Sequence, residues 1–316
     1  MNMRVATYSH LETATFVLLV SYRGLVDSLA PMDTIIGRRD LFLATKAASA
    51  AVVAMSASPL LASAVPSIAS RLEMDILNIP APSVATEPRG IDNLYFPSFM
   101  AGEWDVTQTL LDASTPLGLK FVGGPNGLED IATATMSEVR NNIGKPVSLR
   151  LRFLPTKWGV AEDRLFNAKQ RLDAFAGRSV VSFVEYANVG GSNRASVLAM
   201  GGTEQDPLQT TVVRFKGPAA QKTFLISHGA ESLSDTQWAG YELDRSIFAL
   251  TNQSTAPPLT TDSELIWFLE KKSNDHVHGK LRIAGYLNAQ SDKLFFEARN
   301  RAVSLQDYTL DMKRIS

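Results

Sequence analysis

Histidines are the side chains with the most direct potential for chemistry, and only three of them lie after residue 100. His276 and His278 are two positions apart, so in a β-strand they would share a face and could chelate a metal with a third ligand. They also follow the turn signal at residues 273–275, which favours a solvated hairpin end. His228 precedes a glycine at the end of a predicted strand, which favours a loop histidine over a general base. We therefore predict no metal site and assign no catalytic residue.

The glycine-rich segments and the composition exclude further kinds of binding site and catalytic group. Residues 123–127 lack the Gly-Lys-Ser/Thr ending of a phosphate loop, and residues 190–194 lack the strand-turn-helix setting of a dinucleotide fingerprint, so both predict turns and no cofactor. The chain has no cysteine, which excludes disulfides, thiolate zinc sites and cysteine nucleophiles. Its formal net charge of -1 argues against a nucleic-acid surface.

Two polar segments are the best candidates for contacts with a ligand. One runs through Trp158 and Glu162 into a predicted helix, and the other is a turn at residues 192–194. A structural interpretation stays open for the first, in which Asp163 caps the helix and Arg164 pairs with Asp163. The candidate ligand-binding residues are Trp104, Lys157, Trp158, Glu162, Arg164, Asn193 and Arg194.

The elements that must position these residues are mainly strands. Residues 147–153 alternate strictly between apolar and polar types, as expected of a strand with one wet face. Similar runs, separated by Gly, Pro, Asn and Ser turn signals, occupy residues 179–186, 194–200, 208–216, 221–228, 238–250, 264–271, 277–287 and 302–314. Mostly consecutive strands with short turns favour an antiparallel meander closed into a barrel.

Two segments and one motif complete the predicted fold. Residues 128–139 and 165–175 place apolar residues at helical spacing, which predicts two short helices over the mouth or edge of the barrel. Gly102 and Trp104 are typical of the first strand of a small barrel, where the indole plugs one end. We predict an all-β fold with two short helices, an antiparallel up-and-down β-barrel of about 8–10 strands whose first and last strands pair.

The N-terminal part of the chain has the pattern of a targeting leader. Arg38 and Arg39 precede a mildly hydrophobic run that ends in the Ala62-Ser63-Ala64 form of a cleavage site, which indicates a twin-arginine-type signal. The alternative is a membrane anchor, but the run is dominated by Ala and Ser and would partition poorly into lipid. The residues before Arg38 resemble a plastid-import leader.

Three regions follow from this pattern. Residues 1–64 are predicted as a bipartite leader for plastid import and transfer to the thylakoid lumen, residues 65–94 as a proline-rich arm, and residues 95–316 as the barrel. Met74, Ile76, Leu77 and Ile79 give the arm an apolar patch that we expect to pack on the barrel. We expect the mature protein not to be an integral membrane protein.

Several strings of the barrel region carry a resemblance to a known family. They include FPSFMAGEWDVTQTL, LRFLPTKWGVAEDRLFNAKQRL and VEYANVGGSNRASVLAMGG. They resemble an uncharacterised family of cyanobacterial and plastid proteins, domain of unknown function 6816, over residues 95–315. The resemblance implies a plastid location, in the thylakoid lumen, but carries no activity. A second likeness is to calycin or lipocalin-type barrels, in which Arg301 or Arg314 would stack on Trp104.

We therefore carry three functional hypotheses. The first is a soluble lumenal barrel that binds a small apolar ligand, such as a lipid or pigment-like molecule. The second is an auxiliary protein that docks on a thylakoid membrane complex without a ligand. An enzyme is the least supported, because no acid, base and nucleophile can be named together.

The size of the residues that face the barrel interior decides whether a ligand has room. Large inward aromatic side chains would argue for a packed core, whereas four small residues are expected to leave space: Ala195, Ala199, Gly240 and Ala284.

The leader pattern predicts where the mature chain begins. Cleavage after Ala64 would give an N-terminus at Val65, which mass spectrometry of the native protein measures directly. Replacing Arg38 and Arg39 with lysine should block the second transport step, because that route recognises the arginine pair. A mature chain that retains both arginines would contradict the lumenal assignment.

Overall fold

The computed structural model of the chain describes residues 66–80, 93–187, 210–251, 258–289 and 291–315. Several of the sequence predictions fall outside these ranges. They concern the targeting residues Arg38 and Arg39, the cleavage-site residues Ala62 and Ala64, the candidate ligand residues Asn193 and Arg194, the small residues Ala195 and Ala199, and the predicted strand at 194–200.

The described residues form one antiparallel sheet of eleven strands, strongly curled into a half-barrel. The strands are β1 (Tyr95–Phe96), β2 (Gly102–Ser114), β3 (Pro146–Pro155), β4 (Val160–Glu162), β5 (Val181–Tyr186), β6 (Thr211–Phe215), β7 (Ala219–Ser232), β8 (Gln237–Leu250), β9 (Leu259–Lys271), β10 (His276–Tyr286) and β11 (Ser304–Arg314). Their order across the sheet is β1-β4-β3-β2-β11-β10-β9-β8-β7-β6-β5. The prediction of an all-β, antiparallel, barrel-like fold is confirmed.

The first long strand pairs with the last, as predicted. Trp104 on β2 lies opposite Arg314 on β11, and the ladder continues to Ser114 opposite Leu305 with one irregularity near Asp307. This pairing joins the two ends of the meander within the sheet. The outer strands of the described sheet are therefore β1 and β5.

Both predicted helices are present, and one of them spans the open side of the curled sheet. They are α1 (Glu129–Arg140) and α2 (Arg164–Phe175). The α2 helix contacts β3 near one end of the strand order and β5 and β6 at the other end. The structure adds a four-residue helix, α3 (Phe295–Ala298), and short 3-10 helices at Ala69–Glu73, Ser98–Met100 and Leu119–Val122.

Trp104 closes one end of the half-barrel. Its side chain is fully buried, and its indole N–H donates to the carbonyl oxygen of Met100 over 2.8 Å. The guanidinium of Arg314 stacks on the indole ring at 4.4 Å, so Arg314 is the stacking partner out of the two predicted arginines. Gly102 has φ 121°, a backbone conformation that favours glycine, and a Cβ there would lie 2.7 Å from Nη1 of Arg314 and displace that guanidinium.

Large aromatic rings fill the interior next to Trp104. The ring of Phe96 contacts those of Phe153, Trp238 and Trp267 at centroid distances of 4.8, 5.0 and 5.8 Å. The expectation that Gly240 leaves open space is wrong, because the indole of Trp238 occupies the position of its missing side chain. At this end the half-barrel has a packed core.

The outer face of the sheet carries a second apolar cluster that the N-terminal segment covers. Leu77 is fully buried there, and backbone hydrogen bonds of 2.8 Å join its carbonyl to Ala302 and the N–H of Ile79 to Asn300. Ala284 belongs to this outer cluster, so it does not leave space inside, contrary to expectation. The predicted packing of the arm is confirmed for this segment, although Ile76 is 50% exposed.

The position of Trp104 predicts a large effect of its removal. Trp104→Ala should lower the free energy of unfolding by about 3–5 kcal/mol, because it removes a buried indole together with its hydrogen bond and its cation–π contact. Urea unfolding measures the change. Trp158→Ala is the matched control, since that indole is 55% exposed and its loss should be nearly neutral. Equal effects of both substitutions would contradict the packing described above.

Candidate functional site

The inner face of the sheet changes from dry to accessible along its middle strands. On β9, Trp267 is buried, whereas Leu265 and Ser263 on the same face are partly accessible. On β8, Glu242 is buried and Asp244, two residues further, is partly accessible. The interior is therefore packed at the Trp104 end and partly accessible around Asp244 and Leu265, and Ser246 further along β8 is buried again.

Five titratable side chains meet where the packed part ends. Arg164 donates from Nη2 to Oε1 of Glu242, and Arg171 donates from Nη1 to Oε1 of Glu162. Asp244 interacts electrostatically with Arg164, Arg171 and both glutamates. We call Glu162, Arg164, Arg171, Glu242 and Asp244 the interior charge cluster.

The α2 helix supplies both arginines of the interior charge cluster. Arg164 and Arg171 are seven residues apart, so they lie on one face of the helix, two turns from each other. Asp163 fixes the start of the helix, since its carboxylate accepts from the N–H of Phe166 over 3.2 Å. The predicted capping role of Asp163 is confirmed.

Asn167 ties the same helical face to the sheet. It is fully buried, and its side-chain amide donates to Oε1 of Glu162 over 2.9 Å and to the carbonyl of Arg152 over 3.1 Å. Its own Oδ1 accepts from the N–H of Arg152 over 2.7 Å. Because the fully buried Asn167 makes all three hydrogen bonds, it fixes the position of α2 and its arginines relative to β3 and β4.

The cluster separates its carboxyl groups into two protonation states. Burial raises the pKa of Glu162, but the charges of Arg171 and Arg164 outweigh this, so its pKa lies below the ordinary value. Burial, reinforced by the charge of Glu242, raises the pKa of Asp244 to about 8. Near neutral pH, Glu162 is therefore ionised and Asp244 is mostly protonated.

Four buried polar atoms of this region have no hydrogen-bond partner among the residues that the structure describes. They are Nε of Arg164, Nη2 of Arg171, Oδ1 of Asp244 and Nε1 of Trp267. The guanidinium of Arg171 lies 5.4 Å from the centre of the Trp267 ring, which places the indole at the edge of the cluster. Buried polar atoms are normally satisfied, so four together indicate a place built for a polar group.

The structure separates the residues that the sequence proposed as one site. Glu162 and Arg164 both lie in the interior charge cluster, whereas Trp104 lies in the packed end. Lys157 and Trp158 are at the exposed tip of the β3–β4 hairpin, where the ammonium of Lys157 lies 4.6 Å from the Trp158 ring centre.

The predicted pairing of Arg164 with Asp163 is wrong. Arg164 reaches inward to Glu242 because its side chain leaves the helix on the buried face, while Asp163 approaches Arg152 at 3.5 Å. Sequence reasoning also missed Arg171, Glu242, Asp244 and Trp267. A signal for two of them existed, since Glu242 and Asp244 continue the alternation that begins with the buried Trp238 on β8.

The two histidines of β10 lie away from this cluster, whereas His228 on β7 lies opposite Glu242 in the β7–β8 ladder. Nε2 of His276 is 2.6 Å from Oδ1 of Asp311, and His278 is exposed. In the described ranges no three His, Asp or Glu side chains are grouped so that they could hold a metal ion. No helix within those ranges is long and apolar enough to cross a membrane.

These observations define a class and then a family. The class is an all-β protein whose single curled antiparallel sheet forms a half-barrel with a charged interior. Residues 88–316 match the family model described as "Domain of unknown function (DUF6816)", and the chain belongs to that family. No curated protein and no solved structure matches the chain.

The raised pKa of Asp244 predicts a pH-dependent stability. Between about pH 4 and about pH 8 the folded chain holds a proton on Asp244 that the unfolded chain has released, so this group's contribution to stability falls as pH rises. Asp244→Asn removes that dependence. As pH rises through this window, the free energy of unfolding of the variant should therefore increase relative to that of the natural chain by up to about 1.4 kcal/mol per pH unit.

Urea unfolding of both chains from about pH 5 to about pH 8 measures the difference. Asp275→Asn is a suitable control, because Asp275 lies in the exposed β9–β10 turn. A difference between Asp244→Asn and the natural chain that stays constant with pH would contradict the protonated state.

Proposed function

We propose that the half-barrel binds a small amphipathic molecule, with an apolar body and one polar end, inside its accessible part. The observation that carries the proposal is the group of four unpartnered polar atoms beside the interior charge cluster. Leaving such atoms buried and unsatisfied costs about 1–3 kcal/mol each, so a bound polar group there is strongly favoured. The ligand class in this proposal is a lipid or a pigment-like molecule.

Apolar side chains next to the cluster support the apolar body of such a ligand. Leu265 on β9 and Ile283 on β10 lie opposite each other in the ladder, face the interior and pack against the main core while staying partly accessible. The aromatic rings around Phe96 fill the deeper end, which argues against a ligand that runs the whole length of the interior. The proposed position lies between those rings and the open end.

The location of the protein is part of the same proposal. The leader pattern at residues 1–64 supports plastid import and transfer to the thylakoid lumen. A second candidate function, docking on a thylakoid membrane complex, is supported by the exposed hairpin tip with Leu154 and Trp158. The ligand proposal explains the unpartnered interior atoms, and the docking proposal does not.

Ligand titration tests the proposal. Lipid and pigment fractions are added to the purified chain, and stability is followed by thermal and urea unfolding. A ligand at 100 times its dissociation constant should stabilise the fold by about 2.7 kcal/mol. Ile283→Trp should abolish this gain, because the larger side chain fills the accessible interior.

Lys280→Trp is the matched control, since it adds the same side chain to the exposed face of the same strand. It should leave the stabilisation intact. Failure of every fraction to stabilise the natural chain would favour the docking function. Full stabilisation of Ile283→Trp would contradict the proposed position of the ligand.

A further inference from the structure

We infer that the polar end of the ligand is an uncharged hydroxyl group, which donates to Oδ1 of Asp244 and accepts from the N–H groups of Arg164, Arg171 or Trp267. This inference rests on the proposed function and names the chemistry of its ligand. It follows from the hydrogen-bonding types of the unpartnered atoms and from the charge balance around them.

The four unpartnered atoms require a partner that both accepts and donates hydrogen bonds. Nε of Arg164, Nη2 of Arg171 and Nε1 of Trp267 each carry a hydrogen to donate. We place the proton of the neutral Asp244 carboxyl group on Oδ2, so that the unpartnered Oδ1 is the carbonyl oxygen that accepts. A hydroxyl group has one hydrogen to donate and two lone pairs to accept with. It therefore supplies both the donor that Oδ1 of Asp244 lacks and lone pairs for the N–H groups, whereas an ester or ketone oxygen has no hydrogen to donate.

The charges around these atoms are already balanced. Arg164 is paired with Glu242 and Arg171 with Glu162, so the two positive charges meet two negative ones. A ligand carboxylate would add a third negative charge to a buried region whose two arginines already have carboxylate partners. Burying an uncompensated charge is costly, so the balance favours an uncharged head group.

Asp244 supports the same conclusion, because it is a third carboxyl group in this location. Burial and the charge of Glu242 raise its pKa to about 8 even though Arg164 and Arg171 act in the opposite direction. On the flanking strands its ladder neighbours, Leu225 and Ser263, carry no charge. An additional negative charge is therefore disfavoured at this position near neutral pH.

Two matched pairs of probes test the head group: hexadecanol against palmitate, and retinol against retinoate. Each pair shares its apolar body and differs in the polar end. Near neutral pH we expect each alcohol to bind the natural chain at least about tenfold more tightly than its acid, since one hydrogen bond and one buried charge separate them. Hexadecane measures the contribution of the apolar body alone, and methyl palmitate adds an oxygen that only accepts.

Two substitutions locate the head group. Asp244→Leu keeps a similar volume and removes the acceptor. It should therefore weaken the binding of hexadecanol about tenfold and leave the binding of methyl palmitate unchanged. Trp267→Phe keeps an aromatic ring and removes one N–H donor. It should therefore weaken the binding of both hexadecanol and methyl palmitate, whose oxygens accept from that donor. Arg245→Gln is the control, because Arg245 faces the other side of β8 and pairs with Asp262.

The outcomes separate this inference from the proposed function. Tighter binding of the acids, or equal binding of hexadecane and hexadecanol, would overturn the hydroxyl assignment while leaving an interior ligand site in place. An alcohol preference that survives Asp244→Leu would also overturn it. Absence of binding by every probe of both series would contradict the proposed function itself.

Discussion

Two ion pairs between partly buried arginines of the α2 helix and buried glutamates of the sheet are the interactions on which the interior depends. Arg164 with Glu242 and Arg171 with Glu162 bring charge into a place that would otherwise be apolar, and this is tolerated only while each charge keeps its partner. Loss of one partner from such a pair typically costs about 3–5 kcal/mol. The two pairs thus fix the helix across the open side of the half-barrel. They also place polar groups at one depth of the interior, where the head group of a ligand can bind.

The rest of the structure is arranged on either side of that level. Below it, Trp104 and the neighbouring rings pack without access to solvent, and Arg314 covers the indole. Above it, the inward residues of the middle strands become accessible. On the outer face, the N-terminal segment is held to the sheet by Arg71, whose guanidinium makes three hydrogen bonds to the buried carboxylate of Glu264. This segment therefore covers the outer apolar cluster. The unpartnered polar atoms of the interior charge cluster lie on the opposite, inner face.

Local sequence patterns predicted the long strands, the two main helices and the Trp104 end, because each rests on a period or motif that a single stretch of chain displays. They did not predict β1 and β4, which have two and three residues and are too short for alternation to show. They also assigned Arg164 to its neighbour Asp163, whereas its partner Glu242 lies 78 residues away in sequence. Such pairs depend on how the sheet curls around the helix, and no local pattern records that curl. Gly240 and Ala284 were misjudged because alternation shows neither how a large neighbouring ring turns nor which face is the interior. The indole of Trp238, on the same strand, fills the space beside Gly240, and Ala284 lies in the outer cluster.

Binding of a ligand beside Trp267 would change the environment of its indole N–H, which the NMR signals of the tryptophan indoles report. The chain has four tryptophans, so nitrogen-15 labelling of the indoles gives four signals, and Trp267→Phe identifies the relevant one. When retinol or hexadecanol is added, the account predicts a large shift of the Trp267 signal, because its free N–H gains a partner. The Trp104 signal should stay in place, because its N–H is already bonded to Met100. A titration in which Trp267 does not respond, or in which the exposed Trp158 alone responds, would contradict the account.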